Sequence, residues 1–465
     1  MTTPTQTLLR GKTADLRKVT LAASLGSIAE FFDWGVAASV SALVWPSIFF
    51  PQLTPTGAIA ASLATFGVVY LVRPVGAFIF GRFGDRRGRR AGLMWTLVLM
   101  GAGSLGLGLA PGYAAIGLAA PLLLISLRVL QGLGHGGEWG GATTWVSELA
   151  ADSKRRAFWT GWVTFAAPAG NLLAALSFFL LSSTMSKGAF TSYGWRLLFV
   201  TGAAVAVAGL LIRWRFVESP LFEAQSQNPQ TEVANESFIK TEWRKITTLT
   251  LSFVCLTVVV GILTSTYGLN YLTKLGASSS TAVFYAWLAR VPGLVAFVGG
   301  AVLADIKGRL LPLRVGVILL IPSVLLYFPL VNSNTFTAIL LAFILIEVPV
   351  DFASGSIGAL FTESFPTRIR NRGAGLSYHS GALINGLILT LLLPTIISYY
   401  GGVLNAATPV MITLLAVVVV SLLASLRVRE TKSVGLTDGD IGSAVGVPSA
   451  TKRQLPAPDE CTGVR

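Results

Sequence analysis

Residues 81–90 read GRFGDRRGRR, the densest cluster of charge in the chain. Five arginines surround one acid, Asp85, and long apolar runs lie on both sides of the cluster. Its three glycines allow a tight turn and let neighbouring helices approach closely. A shorter copy, DIKGR, occurs at residues 305–309. One such cluster is typical of a positively charged loop, whereas the copy predicts two related halves built on one plan.

The composition indicates a membrane protein. Of 465 residues, 53% are hydrophobic and only 12% are charged, and the mean hydropathy is +0.69, whereas soluble domains carry about 25% charged residues. We therefore attribute the net charge of +14 to loop topology and expect no nucleic-acid partner. Cys255 lies in an apolar run and Cys461 in a polar tail, so they form no disulfide framework. The polar stretch up to about Thr20 predicts no cleavable signal peptide.

Apolar runs long enough to cross a bilayer predict an all-α protein with twelve transmembrane helices. The predicted spans cover about residues 20–48, 56–80, 91–110, 115–146, 158–181, 195–213, 246–266, 281–304, 313–330, 336–360, 373–397 and 404–426. The longest polar break separates the sixth span from the seventh, so we expect two pseudo-symmetric six-helix bundles. The predicted order is a cytoplasmic segment, a bundle, a linker, a second bundle and a polar tail expected to be disordered, at residues 1–19, 20–213, 214–245, 246–426 and 427–465.

Lysine and arginine are distributed unequally between the loops. Of the 35 such residues, 29 lie in loops on the side of the N-terminus, three lie in the opposite loops, and Arg73, Arg128 and Arg290 lie inside spans. Loops rich in Lys and Arg remain in the cytoplasm. We therefore expect a multi-pass plasma-membrane protein with both termini in the cytoplasm.

Seven motifs follow one another between about residues 20 and 430. They are EFFDW at 30–34, Arg73-Pro74, GRFGDRRGRR at 81–90, Arg128-x-x-Gln131-Gly132 with GHGGEWGG at 134–141, GWR at 194–196, ESPLF at 218–222, and ESFPTRIR at 363–370 with Gly373. In these motifs the chain resembles the major facilitator superfamily, and within it the bacterial metabolite–proton symporters. The GGEWGG run resembles the shikimate-transporter-like branch most.

The resemblance implies a two-bundle fold around a central cavity, alternating access, and inward transport of a small metabolite together with a proton. It implies no cofactor other than the proton gradient. The chain departs from the family pattern at Ile306, where a basic residue is usual, and at Ala301, where glycine is common. In span eleven, SYHSGALINGLILT at 377–390 replaces a stretch that often has an asparagine and a Gly-Gly-Pro-like break.

Ionisable residues inside spans are costly and usually functional. At about 1.5 Å per residue, Asp33 and Arg128 both fall roughly 20 Å deep, near the bilayer midplane. Our hypothesis is that Asp33 carries the proton and that Arg128 is its partner; the alternative is a static ion pair that joins two helices. Glu30, Arg73 and Glu138 lie nearer the cytoplasm and form a gate, a second proton site or a structural pairing.

Several polar and aromatic residues in the spans are candidates for binding substrate. Arg290 has no partner near it in sequence, so it is a candidate for a substrate carboxylate. For the aromatic residues, and for His135 and His379, packing is the alternative. Glu347 and Asp351 share one helix face and bind a proton or cation, or line a water-filled cavity. The substrate candidates are Arg73, Arg128, Arg290, Trp139, Asn171, Tyr267, Tyr378, His379 and Asn385.

The charged motifs predict a gate. In the resembled family the loop acid caps a helix of the opposite half and locks the outward-open state, so we expect Asp85 to dock near Arg372. We expect Glu148 to pair with Arg370 or Arg372, and Glu363 to pair with Arg155 or Arg156. The gating candidates are Gly81, Asp85, Arg86, Gly88, Arg89, Glu148, Arg155, Glu218, Asp305, Gly308, Arg309, Glu363 and Arg370.

These features predict a secondary transporter that carries a small organic acid, such as a shikimate-like or 2-oxoglutarate-like carboxylate, together with a proton. The alternatives are a compatible-solute symporter for proline or betaine and an uncoupled facilitator. The sequence has no nucleotide-binding loop, no metal-ligand cluster and no nucleophile–base pair, so we expect neither an enzyme nor a metal site. The tail lacks the heptads of an osmosensing coiled coil. The expected partners are substrate, proton and lipid, with the chain as a monomer.

Overall fold

The computed structural model describes residues 13–215, 218–226 and 235–436. Within these ranges the chain is helical and contains no β-strand. The twelve long helices of the described residues are α1 (Thr13–Leu43), α2 (Pro55–Arg87), α3 (Arg89–Leu109), α4 (Ala119–Leu149), α5 (Arg156–Thr184), α6 (Trp195–Trp214), α7 (Asn235–Val260), α8 (Ser279–Lys307), α9 (Leu310–Asn332), α10 (Phe336–Ser354), α11 (Arg370–Leu387) and α12 (Ala407–Arg427).

Shorter helical segments extend three of these helices. A π-turn and a helix continue α7 through Tyr267–Lys274, α10 is followed by Ile357–Glu363, and a π-turn leads from α11 into Leu393–Tyr399. Proline interrupts several helices, for example at Pro74 in α2 and Pro292 in α8. Membrane helices tolerate such interruptions because neighbouring helices satisfy the freed backbone groups.

Ten helical stretches of the described residues are long and apolar enough to cross a membrane. The two long helices outside this set, α1 and α4, carry ionisable residues in their central turns, which lowers their hydropathy. Large apolar side chains such as Leu109, Val295 and Leu118 are more than 65% exposed. In a membrane these side chains face lipid.

The two halves repeat one packing pattern. In the first half, α1 packs on α5, α2 on α4, α3 on α4, and α3 on α6. In the second half, α7 packs on α11, α8 on α10, α9 on α10, and α9 on α12. Each pair of the second half is the pair of the first half shifted by six helices. The predicted pair of pseudo-symmetric six-helix bundles is therefore confirmed.

The halves join along two equivalent seams. One seam is formed by α2 and α4 against α11, and the other by α5 against α8. Glycine makes the first seam close: a Cβ atom on Gly140 of α4 would lie 2.7 Å from the Cα atom of Gly375 of α11. These seams bring the helices that carry the predicted site residues together.

Some helix bounds differ from those expected. The charge cluster is not a loop, because α2 continues to Arg87 and α3 begins at Arg89, so that Gly88 alone forms the break. The predicted linker is helical from Asn235 onward, while residues 216–217 and 227–234 lie outside the described ranges. The start of the tail, residues 428–436, packs against both halves, and residues 437–465 lie outside the described part.

Candidate functional site

Asp33 on α1 lies in a buried hydrogen-bond cluster formed with α3 and α4. Ser104 donates its hydroxyl hydrogen to Oδ1, and Gln131 Nε2 donates to Oδ2 at 2.7 Å. Arg128 Nη1 is 4.0 Å from Oδ2 and donates to Gln131 Oε1 at 2.5 Å. The structure brings the predicted pair together, but Gln131 bridges the two charges, so Asp33 lacks a close ion-pair contact with Arg128.

The remaining surroundings of Arg128 are aromatic. Its guanidinium lies 6.0 Å from the ring centre of Trp45 and 5.5 Å from that of Phe66. Its Nε and Nη2 atoms have no hydrogen-bond partner among the described residues. His135 Nε2 lies 3.7 Å from Asp33 Oδ2. The guanidinium of Arg128 is thus held by one hydrogen bond to Gln131 and by two aromatic rings, and it forms no saturated salt bridge.

Glu30 and Arg73 form a second, incomplete pair. Arg73 Nη2 lies 3.4 Å from Glu30 Oε1 and 3.2 Å from His135 Nδ1. Glu30 Oε2 and Arg73 Nε are buried, and neither has a hydrogen-bond partner in the described ranges. This pair leaves hydrogen-bonding capacity unused in the middle of the first half.

Glu138 has a different partner from the one expected. Arg213 of α6 contacts both of its oxygens, with Nη1 at 2.9 Å from Oε2 and Nη2 on Oε1. Thr96 also donates to Oε2 at 2.8 Å. Arg213 further donates to the carbonyl oxygens of Leu93 and Ala23, each at 3.3 Å. Glu138 therefore does not share Arg73 with Glu30, and the sequence analysis missed Arg213 because it counted this residue as a loop cation.

The second half holds a smaller charged cluster. Arg290 Nη2 lies 3.5 Å from Glu347 Oε1, which also accepts a hydrogen bond from Thr264 at 2.8 Å. Asp351 lies one turn further along α10, next to Gly293 of α8. Arg290 has no partner near it in sequence, but Glu347 of α10 pairs with it in the structure. Arg290 is therefore a weaker candidate for binding a substrate carboxylate.

The other substrate candidates divide into packing residues and incompletely bonded ones. Trp139 stacks on Tyr378 across the seam between α4 and α11, with ring centres 3.9 Å apart. Tyr267 donates to Val403 O at 2.5 Å inside the core of the second half, which is a packing position. Buried polar atoms without hydrogen-bond partners among the described residues occur on Asn171 (Oδ1), Asn385 (Oδ1) and His379 (both ring nitrogens).

One end of the molecule carries most of the charged motifs, and we call it the charged end; it contains residues 81–90 and 305–309. There Asp85 accepts hydrogen bonds from the backbone N–H groups of Asn371 and Arg372, at 3.1 and 3.2 Å. It also accepts from Arg372 Nε at 3.2 Å and Arg89 Nη1 at 2.9 Å. Asp85 thus caps α11 from the opposite half, as expected, since an acid is favoured at a helix N-terminus.

Arg89 joins this cap to a second contact between the halves. It donates to both oxygens of Glu148, at 3.2 and 3.0 Å, and to Thr367 O at 2.6 Å. Glu148 also accepts from Arg370 Nη1 at 2.8 Å. Of the two partners expected for Glu148, the structure gives Arg370.

The shorter copy of the motif forms the matching arrangement on the other seam. Asp305 of α8 accepts from the backbone N–H groups of Ala157 and Phe158, at 2.8 and 2.9 Å. Arg309 donates to Asp305 at 2.9 Å and to Glu363 at 2.8 Å. Asp305 therefore caps α5 of the first half, just as Asp85 caps α11 of the second.

Glu363 completes the matching set through Arg156, whose Nη1 lies 2.7 Å from Oε1. Arg155, the residue chosen from the sequence, is exposed at this end, and its side chain forms no ion pair among those found in the described residues. Because α5 begins at Arg156, the side chain of Arg156 points inward and that of Arg155 points outward. The gating candidate Arg86 is exposed on the last turn of α2.

Two further acids cap the helices that follow the motif glycines. Glu218 accepts from the N–H groups of Arg89 and Arg90 at 2.9 and 3.1 Å, and Glu430 accepts from those of Arg309 and Leu310 at 2.7 and 3.0 Å. The sequence analysis missed Glu430, although its place after α12 matches that of Glu218 after α6.

The glycines and the caps are consistent with this repeated geometry. Gly88 and Gly308 have φ values of 107° and 117°, which favour glycine. Gly81 faces Arg372, whose Cα atom would lie 2.7 Å from an added Cβ.

The two capping acids differ in pKa. Burial raises the pKa of Glu218. Burial also acts to raise the pKa of Glu430, but the N–H groups of Leu310 and Arg309, with those of Lys432 and Thr431, hold it below its ordinary value.

The segment after α12, residues 428–436, crosses the charged end, and we call it the strap. Thr431 donates to Glu363 Oε2 at 2.6 Å. Val434 O accepts from Arg156 at 3.4 Å, and Leu436 O accepts from Arg370 at 2.8 Å. The strap thus binds the two arginines that pair with Glu363 and Glu148.

Several known proteins are similar to this chain in sequence. Residues 19–249 match the family model described as "Sugar (and other) transporter". The inner membrane metabolite transport protein YhjE of Escherichia coli K12 is 34% identical over 89% of this chain and 94% of its own length. The chain belongs to the major facilitator superfamily. Two further E. coli K12 members are each 30% identical over 90% of the chain, namely a proline/betaine transporter (84% of its length) and a shikimate transporter (95%).

The fold agrees with this assignment. The proton:xylose symporter XylE bound to 6-bromo-6-deoxy-D-glucose superposes with a TM-score of 0.75, at 18% identity, over 93% of this chain and 99% of that chain. As members of this superfamily are single-chain transporters of small molecules, the chain is a polytopic transporter of metabolites or other solutes and not an enzyme. The predicted family and fold are therefore confirmed.

Proposed function

We propose that this chain is a proton-coupled symporter of a small organic acid in the plasma membrane, with the charged end in the cytoplasm. The observation that carries the proposal is Asp33, a buried carboxyl group about two thirds of the way along α1 that is separated from Arg128 by Gln131. A carboxylate in a direct salt bridge is held ionised. Asp33 instead accepts hydrogen bonds from Ser104 and Gln131, and the Ser104 hydroxyl can rotate to accept a hydrogen bond from a protonated carboxyl group.

The gate supports alternating access. Asp85 and Asp305 cap helices across the two seams, and Glu148 and Glu363 pair with arginines from the opposite halves. All these contacts lie at the charged end, so this conformation is closed there. With the Lys- and Arg-rich loops in the cytoplasm, it corresponds to an outward-facing state.

Substrate charge distinguishes the leading function from its alternative. Arg73 and Arg128 each retain unpartnered N–H groups among the described residues, and such groups suit a carboxylate. In the second half, Arg290 pairs with Glu347, and Asp351 lies one turn further along α10 next to Gly293; a surplus acid favours a cationic group such as a betaine. We place the organic acid first because the unpartnered guanidinium atoms are buried at the first-half cluster.

Uptake by the purified protein in liposomes tests the proposal. Labelled shikimate, 2-oxoglutarate, citrate and glycine betaine are offered with and without an inward proton gradient. We expect accumulation of a carboxylate that collapses on addition of a protonophore and is lost in Asp33→Asn, while exchange of internal for external substrate persists. Asp152→Asn, at an exposed acid, is the matched control and should accumulate normally.

The other outcomes decide between the alternatives. Gradient-driven accumulation of betaine alone supports the compatible-solute function. Equal uptake with and without the gradient makes the chain a facilitator, and Asp33 then has a structural role. Accumulation against a gradient by Asp33→Asn removes Asp33 from proton coupling.

A further inference from the structure

We propose that Arg73 and His379 bind the carboxylate of the transported acid between the two halves, and that Glu30 is the resting counter-ion which this carboxylate displaces. The inference rests on the proposed function, because it specifies where the transported acid binds. It also assigns Glu30 a role separate from that of Asp33.

The packing of α2 against α11 places His379 beside Arg73. A Cβ atom on Gly375 would lie 3.7 Å from the Cβ atom of Ala77, and one on Gly386 would lie 2.7 Å from Tyr70. The two helices therefore run antiparallel in this register. His379 is one turn beyond Gly375, and Arg73 is one turn before Ala77, so both side chains lie at one level.

The hydrogen-bonding capacity at this level is unused. His379 is fully buried, and neither Nδ1 nor Nε2 has a partner in the described part of the chain. The same holds for Glu30 Oε2 and Arg73 Nε. Buried polar groups are nearly always hydrogen-bonded. Four unpartnered atoms from α1, α2 and α11 therefore indicate a ligand that contacts both halves.

The neighbouring pair shows what a purely structural ion pair looks like here. Glu138 uses both oxygens on Arg213, and Thr96 adds another hydrogen bond. Glu30 and Arg73 have one contact at 3.4 Å. A planar guanidinium binds a carboxylate best through two parallel hydrogen bonds. The Glu30–Arg73 pair does not do so, and an incoming carboxylate has free donors to occupy.

The exchange conserves charge. A substrate carboxylate takes the place of Glu30 at Arg73, with His379 hydrogen-bonded to the same group or to a neighbouring hydroxyl. Glu30 then lacks its counter-ion and accepts one proton from the water on the open side, so one negative charge and one positive charge enter together. The other groups around Glu30 are Asp33 on α1, Glu138 on α4, Arg213 on α6 and Tyr378 on α11. The ligand class is a small carboxylic acid with a second oxygen near its carboxyl group.

The floor of this site is already closed. Trp139 stacks on Tyr378, and Phe253 also stacks on Tyr378 with ring centres 5.5 Å apart. The Gly140–Gly375 contact lies at the same side of His379, toward the charged end. A carboxylate at Arg73 is therefore separated from the charged end and enters from the opposite side.

Thermal stabilisation of the purified protein tests the site without assuming which substrate is carried. The probes are shikimate, glycolate, lactate and benzoate at millimolar concentration, each beside its amide. We expect carboxylates with a neighbouring oxygen to raise the melting temperature and the amides not to do so. Arg73→Lys should weaken carboxylate binding about tenfold by losing bidentate geometry, and His379→Ala should weaken it by a similar factor. His379→Gln should restore part of the binding.

Glu30→Gln separates this exchange from a structural role for the pair. Without the competing anion at Arg73, carboxylates should bind about tenfold more tightly, and their binding should no longer tighten as the pH falls. A merely structural salt bridge predicts weaker binding or loss of fold. Arg215→Lys, at an exposed arginine just after α6, is the matched arginine control and should bind carboxylates normally.

The outcomes also separate this inference from the proposed function. Carboxylate binding that depends on Arg73 and His379, together with uptake that ignores the proton gradient, supports carboxylate binding at these two residues and contradicts both symport and the protonation of Glu30 on exchange. Proton-driven uptake with unchanged binding in Arg73→Lys and His379→Ala contradicts the site alone. The absence of stabilisation of the unaltered protein by every carboxylate overturns the inference.

Discussion

Gln131 determines how the two central charges interact. Its amide donates to Asp33 and accepts from Arg128, which holds the two charges 4.0 Å apart. In Gln131→Leu we expect Arg128 to move onto Asp33, because both lose their hydrogen-bond partner. A direct salt bridge keeps Asp33 ionised, so proton-driven uptake in liposomes should fall about tenfold or more.

Gln52, an exposed residue, provides the control for this substitution, and Gln52→Leu should transport at the normal rate. Exchange of substrate without a gradient should fall less than gradient-driven uptake in Gln131→Leu. A variant that retains full gradient-driven accumulation would show that the spacing between Asp33 and Arg128 is not used in coupling.

Gly26 gives a test of the pair between Glu138 and Arg213. A Cβ atom at this position would lie 1.8 Å from Arg213 Nη2 and 2.5 Å from Glu138 Oε1. Gly26→Ala should therefore separate Glu138 from Arg213 and lower the free energy of unfolding by about 3 kcal/mol, since a broken ion pair leaves a buried charge without its partner. Thermal unfolding in detergent measures the effect. Gly188→Ala, where an added Cβ meets nothing within 4 Å, should unfold at the normal temperature.

Single residues were predictable where a charge stood alone in an apolar run. Asp33 and Arg128 were found in this way, and the structure places both in one cluster. Arg213 was not found, because it ends an apolar run beside a polar linker and its partner is 75 positions away in the chain. A single charge in an apolar run indicates that a partner is needed, but the neighbouring sequence does not identify which residue that partner is.

Helix caps are the feature to test at the level of elements. Glu218 and Glu430 cap α3 and α9 at equivalent places, yet their pKa values move in opposite directions. The lowered pKa of Glu430 means that ionised Glu430 stabilises the fold. Because Glu430 is exposed and solvent screens its charge, Glu430→Gln should lower the free energy of unfolding only slightly, by roughly 0.5 kcal/mol, at neutral pH. Glu218→Gln, the matched variant, should be neutral or slightly stabilising, because burial disfavours its charge.

The pH dependence follows from these signs. The contribution of Glu430 is complete above the ordinary glutamate pKa of about 4.3 and is lost as the pH falls through its lower folded-state value. The difference between Glu430→Gln and the unaltered protein should thus vanish in strong acid. For Glu218 the unfavourable contribution is present at high pH and disappears as the pH falls through its raised value. Melting temperatures across this range, identical for both variants, would contradict the assignment.

Element bounds show where sequence patterns fail. Arginine is a good helix former, so α2 continues through most of GRFGDRRGRR and stops only at Gly88. At the start of α5, a shift of one residue turns a side chain by about 100°. That shift makes Arg156 the partner of Glu363 in place of Arg155. Hydropathy locates a span well, but the side chain that points inward depends on where the helix begins.

The two seams make a testable pair at the level of the whole molecule. Asp85→Asn and Asp305→Asn remove equivalent caps. We expect each to shift the population toward a state open at the charged end, because each removes contacts that only the closed state has. Spin labels at Arg155 and Lys307, with both native cysteines, Cys255 and Cys461, replaced by Ser, report the distance across α5 and α8. A second pair at Tyr193 and Leu404 reports on the opposite end.

In both variants the distance at the charged end should lengthen while that at the opposite end shortens. Asp152→Asn, which removes an exposed charge at the same end, should leave both distances as in the unaltered protein. A change of the two distances in only one variant would show that the two seams do not contribute equally to closing the charged end. Unchanged distances in both would show that the caps do not set the conformation.

The architecture was more predictable than its contacts. Twelve spans and two halves follow from hydropathy, a polar break and a repeated motif, all of which are local signals. The ion pairs across the seams join residues more than 200 positions apart, such as Asp85 with Arg372 and Arg156 with Glu363. The family resemblance predicted the contact between Asp85 and Arg372. The contacts of the strap were not predicted, because the composition of the tail predicted disorder.

The strap also bears on how the protein is made. Arg156 emerges from the ribosome long before Val434, whose carbonyl oxygen it binds, and Glu148 long before Arg370. The first half must therefore enter the membrane with these groups still in water. The charged end can be assembled only after the strap has left the ribosome. A nascent chain stalled after α12 but before the strap would hold twelve helices in place and still lack the contacts that close this end.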